Sequence, residues 1–307
     1  MSTMFKNFVV LCLLYSVNAT HFITKINETV HHNVILEINK PWDPEMYAKK
    51  VILSNATGVI TSQTFQLLTE LQELYLVHSS IEYIHQDAFK TAPKLENIQF
   101  SYNSKLPFLT NDIFKNCKNL KKLVIGNNKF IEGISDNLCS GLQNLTHVEI
   151  TKESKIPKKL TNNFFRNSKS LESIKLHFSN ITSIDSDAFK ELKKLNFLSL
   201  VENEVNEIGP GAFGNENLLR LYLSWNKLKY FSGEELQDLR NLEKLDISFN
   251  PLIELDVERI KRNAPNLKSL SVAQTSLSCN KKKEFMKKGN LSFHVHIDRN
   301  ELEKCEA

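Results

Sequence analysis

Between Leu218 and Asn241 the chain reads LLRLYLSWNKLKYFSGEELQDLRN. Leu218, Leu221 and Leu223 give L-x-x-L-x-L, and Asn226 and Leu228 extend it to L-x-x-L-x-L-x-x-N-x-L. Leu221 and Leu223 are two apart, the period at which side chains on a strand share a face, so a short strand with both leucines inward is predicted. Asn226 follows where the chain must leave that strand. Its short amide can hydrogen-bond backbone groups of neighbouring turns. Leu236 marks the inner side of the returning segment. One such segment cannot bury its apolar face alone and needs copies above and below it.

The copies begin at Leu71, Leu95, Leu120, Leu145, Leu171, Leu195, Leu218, Leu242 and Leu267, at intervals of 24, 25, 25, 26, 24, 23, 24 and 25 residues. Val51 and Leu53 form the strand of an irregular turn before them. The asparagine slot reads Ala56, Ser79, Asn103, Asn128, Glu153, Ser179, Asn203, Asn226, Asn250 and Thr275. Asparagine clusters centrally, as expected when end turns are atypical. Six residues before each new leucine lies a second apolar slot, Phe89, Phe114, Cys139, Phe165 and Phe189, with Phe213 and Ile260 one place off. A stacked phenylalanine column is predicted there. The fold class is therefore an α/β solenoid, with short parallel strands on the concave side, nine to ten repeats and two caps.

Four segments follow. Residues 1–19 read as a secretory signal, with Lys6 before the short apolar run Phe8–Tyr15 and small residues at Val17-Asn18-Ala19. Residues 20–50 are an N-terminal cap, with Val34–Ile38 as a strand against the first open edge, a break at Pro41-Trp42-Asp43-Pro44 and a short helix over 43–50. Residues 51–278 are the solenoid, and 279–307 a C-terminal cap. The signal, with no later apolar run long enough to span a membrane, predicts a secreted, extracellular glycoprotein. Sequons stand at Asn27, Asn55, Asn144, Asn180 and Asn290. In the repeat Leu145–Ser170, Glu153 replaces the ladder asparagine. A carboxylate cannot donate as an amide does, and the run from Lys152 to Lys159 is expected to drift or loop outward.

Net charge is only +4, so a strongly basic nucleic-acid binder is not indicated. Charge is nevertheless uneven: residues 115–160 hold nine lysines against four acids, and residues 201–259 twelve acids against six bases. Removing the signal with Cys12 leaves four cysteines. Cys279–Cys305 would close the C-terminal cap. For Cys117 and Cys139, on adjacent repeats, a bridge is favoured over two buried thiols.

Catalytic motifs are missing: the sequence has no HExxH, glycine-rich phosphate loop or GxSxG. His294 and His296 share a strand face without a third ligand and read as surface residues. No catalytic residue, cofactor or metal is assigned. The functional surface is instead the concave sheet, whose outward positions alternate with the leucines. Tyr75, Glu149, Lys175, His177, Phe197 and Tyr222 are the candidate ligand contacts, since aromatic and charged anchors dominate interfaces. Glu149 and Lys175 are expected as cross-strand neighbours. Tyr102, Phe178, Trp225 and Phe249, at or beside the ladder position, are read as packing residues.

With LxLxxN at Leu198–Asn203, Leu221–Asn226 and Leu245–Asn250, residues 51–278 resemble the extracellular "typical" leucine-rich-repeat class: Toll-receptor ectodomains, small matrix proteoglycans and secreted insect leucine-rich immune proteins. Cysteines are absent between Thr20 and Asn116, a departure from the cysteine-knotted cap of that class. The resemblance implies a curved right-handed leucine-rich-repeat horseshoe that serves as a non-catalytic binding module for proteins or microbial ligands, in innate immunity or extracellular recognition. Two alternatives are a secreted inhibitor of a hydrolase and a matrix protein whose basic cap (Lys281, Lys282, Lys283, Lys287, Lys288) holds sulfated glycans.

Overall fold

The structure, a computed structural model, describes residues 28–32, 35–36, 48–130, 132–287 and 293–305. The signal reading, most of the N-terminal cap and the sequons at Asn27 and Asn290 lie outside the described residues. The chain divides into two compact units, Met1–Lys155 and Ile156–Ala307. Each is a stretch of parallel-strand solenoid.

In the first unit the strands are β1 (Glu28–His32), β2 (Ile35–Leu36), β3 (Lys50–Ser54), β4 (Thr57–Ile60), β5 (Glu73–Val77), β6 (Ser80–Ile84), β7 (Asn97–Ser101), β8 (Lys122–Gly126) and β9 (His147–Thr151). The main sheet runs β1-β3-β5-β7-β8-β9, all parallel. Its register aligns Val51, Leu74, Ile98, Leu123 and Val148, the first inward position of each repeat. All five are buried. A second small sheet runs β2-β4-β6. The strand covering the first edge is thus β1, ETVHH. It has no leucine to betray it. Of the predicted strand Val34–Ile38, the described part is β2, which pairs with Thr57–Gly58 instead. The predicted helix over 43–50 does not reach its end, because Lys50 already begins β3.

The second unit contains β10 (Lys159–Leu160), β11 (Ser173–His177), β12 (Ser183–Ile184), β13 (Phe197–Ser199), β14 (Glu207–Ile208), β15 (Arg220–Tyr222), β16 (Tyr230–Phe231), β17 (Lys244–Asp246), β18 (Glu254–Leu255), β19 (Ser269–Ser271) and β20 (His294–His296). Its main sheet, β11-β13-β15-β17-β19-β20, aligns Ile174, Leu198, Leu221, Leu245, Leu270 and Val295. Two smaller sheets, β10-β12-β14 and β16-β18, lie on later parts of the turns.

The phenylalanine column forms in both units. Ring centroids are 5.7 Å apart for Phe65–Phe89 and 6.2 Å for Phe89–Phe114. In the second unit, Phe165–Phe189 and Phe189–Phe213 stand 5.8 and 6.0 Å apart. These rings are buried and hold the returning segments against the strands.

The ladder asparagines join consecutive turns. Asn226 Oδ1 accepts from Val205 N–H at 2.9 Å, and its Nδ2 donates to the carbonyls of Leu200 (2.9 Å) and Leu223 (3.0 Å). Asn250 repeats the pattern onto Leu228 N–H and the Leu223 carbonyl. In the first unit Asn103 and Asn128 do the same for Ser79 and Asn103. Only a side chain with an acceptor and a donor on one short stem can satisfy both.

Glu153 does not drift outward. It is 1% exposed, and its Oε1 accepts from Asn128 N–H and Nδ2. Ile134 N–H donates to the Lys155 carbonyl, so the following run stays in the ladder.

Each turn passes through a left-handed residue after its strand. The residues are Asn55, His78, Tyr102, Asn127 and Lys152 in the first unit, and Phe178, Glu202, Trp225, Phe249 and Gln274 in the second, with φ between +50° and +58°. Such a residue costs about 1–2 kcal/mol if it is not glycine. It is held by its N–H, as when Trp225 donates to the Ser248 carbonyl and Phe249 to the Ala273 carbonyl.

Cys279 and Cys305 are joined, with Cα atoms 5.3 Å apart. They link α3 (Cys279–Lys287) to the end of α4 (Arg299–Lys304); α1 (Asn111–Phe114) and α2 (Val257–Asn263) precede them in the chain. The expected Cys117–Cys139 bridge does not form. Both are buried thiols. The register explains this: Cys139 occupies the phenylalanine slot after Phe114, whereas Cys117 occupies the slot of Leu68 and Leu142, so the two belong to different columns.

Candidate ligand-binding face

The open face of each main sheet is built by the residues between the inward leucines. In the first unit, Tyr75 Oη donates to Glu73 at 2.9 Å and Lys50 Nζ stands 5.0 Å from the Tyr75 ring. Glu149 is on β9 of the same sheet, two strands beyond β7.

Four of the six predicted contacts fall on three adjacent strands of the second unit. Lys175 and His177 are on β11, Phe197 on β13 and Tyr222 on β15. The Phe197 and Tyr222 rings are 5.5 Å apart at 39°. His177 Nε2 lies 2.7 Å from Ser199 Oγ, on the strand that carries Phe197. All four predicted residues are half-buried, as side chains standing on an open sheet are.

Arg220 and Lys244 were missed. The Arg220 guanidinium lies 5.4 Å from the Phe197 ring, and Lys244 Nζ lies 5.4 Å from the Tyr222 ring. Both occupy the first position of their strands, in register with Phe197. The same two-residue alternation that located Tyr222 would have found them, had it been carried one step toward the strand start. Asp246 follows on β17 and accepts from Ser248 N–H and Oγ. The result is an aromatic pair flanked by two cations with one carboxylate alongside. Such an array can offer ring contact and charge of both signs to a surface of mixed polarity.

The second feature is an aromatic edge. Tyr102, Phe178, Trp225 and Phe249 are not core packing: all are exposed. Each is the left-handed residue of its turn, which directs its side chain out of the solenoid. Trp225 and Phe249 stack at 4.1 Å and 7°, and Tyr102 stacks on His78 at 5.1 Å. Between Phe178 and Trp225 an open cavity of about 340 Å³ is lined by Glu202, Glu204 and Lys227.

The basic cap presents less charge than its sequence promises. Lys282 is buried and donates to the Thr275 carbonyl at 3.1 Å, and Lys283 donates to the Cys305 carbonyl at 2.8 Å. Asn144 donates to the Lys118 carbonyl, while Asn55 and Asn180 sit exposed in left-handed turns. Among the described residues no three His, Cys, Asp or Glu side chains cluster to hold a metal. Among them, too, no helix is long and apolar enough to cross a membrane.

Two family profiles match the chain. One, "BspA type Leucine rich repeat region (6 copies)", covers residues 45–160, and the other, "Leucine rich repeat", covers residues 198–252. Toll-like receptor 3 of Boselaphus tragocamelus is 26% identical over 73% of this chain and 26% of its own length. Human Toll-like receptor 3 is 33% identical over 38% of the chain and 13% of its own length. The chain therefore spans about a quarter or less of these relatives. Among solved structures, the Toll–Spatzle complex of Drosophila aligns with TM-score 0.72 and 20% identity, over 83% of this chain and 35% of that one. The complex of TLR13 with ssRNA13 aligns with TM-score 0.64 and 21% identity, over 80% and 36%. At these identities the solved structures speak for the fold. The chain is a leucine-rich-repeat protein, and within that class it resembles Toll ectodomains.

Proposed function

We propose that this protein is a secreted, non-catalytic recognition module of the extracellular space, of the innate-immune kind, and that it takes a protein ligand on the sheet face of its second unit. The observation that carries the reading is the Phe197–Tyr222 pair with Arg220 and Lys244 against its rings. The solenoid does not need these side chains, since the leucines beneath them already fill the core. The Toll complex, named for a protein partner, is consistent with this use of a repeat surface. A single-stranded nucleic acid, as in the TLR13 complex, would favour rings free to stack on bases. Here the rings are tilted on each other, and the Asp246 carboxylate in register beside Tyr222 repels a phosphate backbone, which favours a protein.

The test compares wild type with a Phe197→Ser, Tyr222→Ser double variant, both secreted from cultured cells and used to capture partners from extracellular fluid. Both side chains stand half-buried on the open face above the leucine core, and a thermal melt of the variant beside wild type checks that its fold is kept. Wild type recovers a protein partner, and the variant loses about 30-fold or more of it, as for hot-spot residues. Equal recovery by both, or failure of the chain to reach the medium, overturns the reading.

A further inference from the structure

The sequon Asn180-Ile181-Thr182 opens onto the cavity between Phe178 and Trp225. Asn180 is exposed at φ +57°, and Asn203, the next ladder residue, lines the cavity beneath it. Asn144, by contrast, already uses its amide nitrogen on the Lys118 carbonyl at 2.7 Å. Phe178, two residues before Asn180, is 43% exposed, and Trp225 is 52% exposed. Large aromatic surfaces left open to water ordinarily mark a site that something covers.

We propose that Asn180 carries an N-linked glycan whose first N-acetylglucosamine seats in this cavity, its C–H face on Phe178 and Trp225. The volume of about 340 Å³ is at the small end of ligand sites, suited to one sugar ring. A pyranose offers an apolar C–H face to an aromatic ring and polar groups at its rim. Glu202, the left-handed residue of the intervening turn, stands between the two rings, and Glu204 and Lys227 also line the cavity; these groups accept from or donate to the hydroxyls and acetamide. Stacking against Phe249 holds the Trp225 indole as a wall. Asn180 Nδ2 displaces the lipid pyrophosphate carrier at the sugar C1: the N–C1 bond forms as the C1–O bond to the pyrophosphate breaks, the pyrophosphate leaves with the bonding pair, and Nδ2 gives up one proton. The inference rests on the secretory reading above. It also assigns the aromatic edge an occupant belonging to the chain itself, leaving the sheet face to the ligand.

Glycopeptide mapping with peptide-N-glycosidase in ¹⁸O water, on protein secreted from cultured cells, reads occupancy at each sequon. Modification at Asn180 is expected. Glycan at other sequons with Asn180 bare overturns this inference alone. A protein with no glycan anywhere and none in the medium overturns the secretory reading with it. Seating is read by a cycle of Asn180→Asp and Phe178→Asn, both of which tolerate the left-handed turn. With Phe178 present, the glycan raises Tm by about 2–4 °C and protects Trp225 from acrylamide quenching in a Trp42→Phe background. With Phe178→Asn, the Tm gain disappears and protection weakens. A glycan effect identical in both backgrounds refutes the seating.

Discussion

Glu153 takes the place of a ladder asparagine beside Asn128: its Oε1 accepts the Asn128 backbone N–H at 2.8 Å and side-chain amide at 2.9 Å, while its buried Oε2 meets no partner. The acceptor half of the ladder bond is preserved and the donor half is lost. Burial pushes the carboxyl up to about 7, against the two Asn128 hydrogen bonds, which pull it down.

That shift fixes the sign of a pH effect. The folded value lies above the ordinary 4.5, so the native state holds the proton more tightly than the unfolded chain. The stabilisation is fully present below pH 4.5, declines between 4.5 and 7, and is gone above 7. A shift of this size corresponds to roughly 3 kcal/mol. Glu153→Gln supplies the missing donor without the charge. Urea denaturation at pH 4.5 and pH 8 should give near-equal stabilities for the two proteins at the lower pH. At the higher pH the variant should be more stable by about 2–3 kcal/mol.

The ladder amides are expected to matter more than surface amides of similar reach. Asn226→Ala strands Val205 N–H and the carbonyls of Leu200 and Leu223 in a buried layer. A loss of about 3 kcal/mol follows from leaving buried groups unpaired. Asn217→Ala removes one exposed bond to the Lys193 carbonyl and should cost under about 1 kcal/mol. Thermal melts of the two variants beside wild type check the order.

Repeat periodicity made most of the solenoid legible in the sequence, because each inward leucine has one place to go. Leu123, Leu198 and Leu245 lie where the lattice requires. Where a position has two solutions, the pattern was silent. Tyr102 and Trp225 are aromatic beside the core, but the left-handed turn points them outward, and a hydrophobicity pattern carries no backbone handedness. Strand β1 has no leucines and is recruited by the open edge of β3. Cys117 and Cys139 are close in repeat position, yet columns, not sequence spacing, decide which side chains meet.

Those thiols should be unreactive in the folded protein. Burial drives Cys117 up to about 12 and Cys139 higher still, so neither supplies thiolate at neutral pH. Without reductant, the chain lacking residues 1–19 should take up no alkylating agent when folded and two equivalents in urea. After reduction it should take up four. Uptake of two by the folded protein contradicts the burial; no uptake in urea would mean that they are bridged.

Breaking Cys279–Cys305 should loosen the C-terminal cap first. A loop of this length contributes about 3 kcal/mol in the chain-entropy account. Hydrogen exchange of the Cys279→Ala, Cys305→Ala variant should speed up at β20, whose pairing to β19 depends on the cap, while β13 and β15 keep their protection.

The most direct measurement places p-benzoylphenylalanine at Tyr222 on the sheet face, or at Glu191 on the returning segment of the same unit, and irradiates the secreted protein in extracellular fluid. Recognition through the sheet face predicts a discrete protein adduct from position 222 and none from 191. Adducts from 191 alone, or equally from both, would contradict recognition through the sheet face.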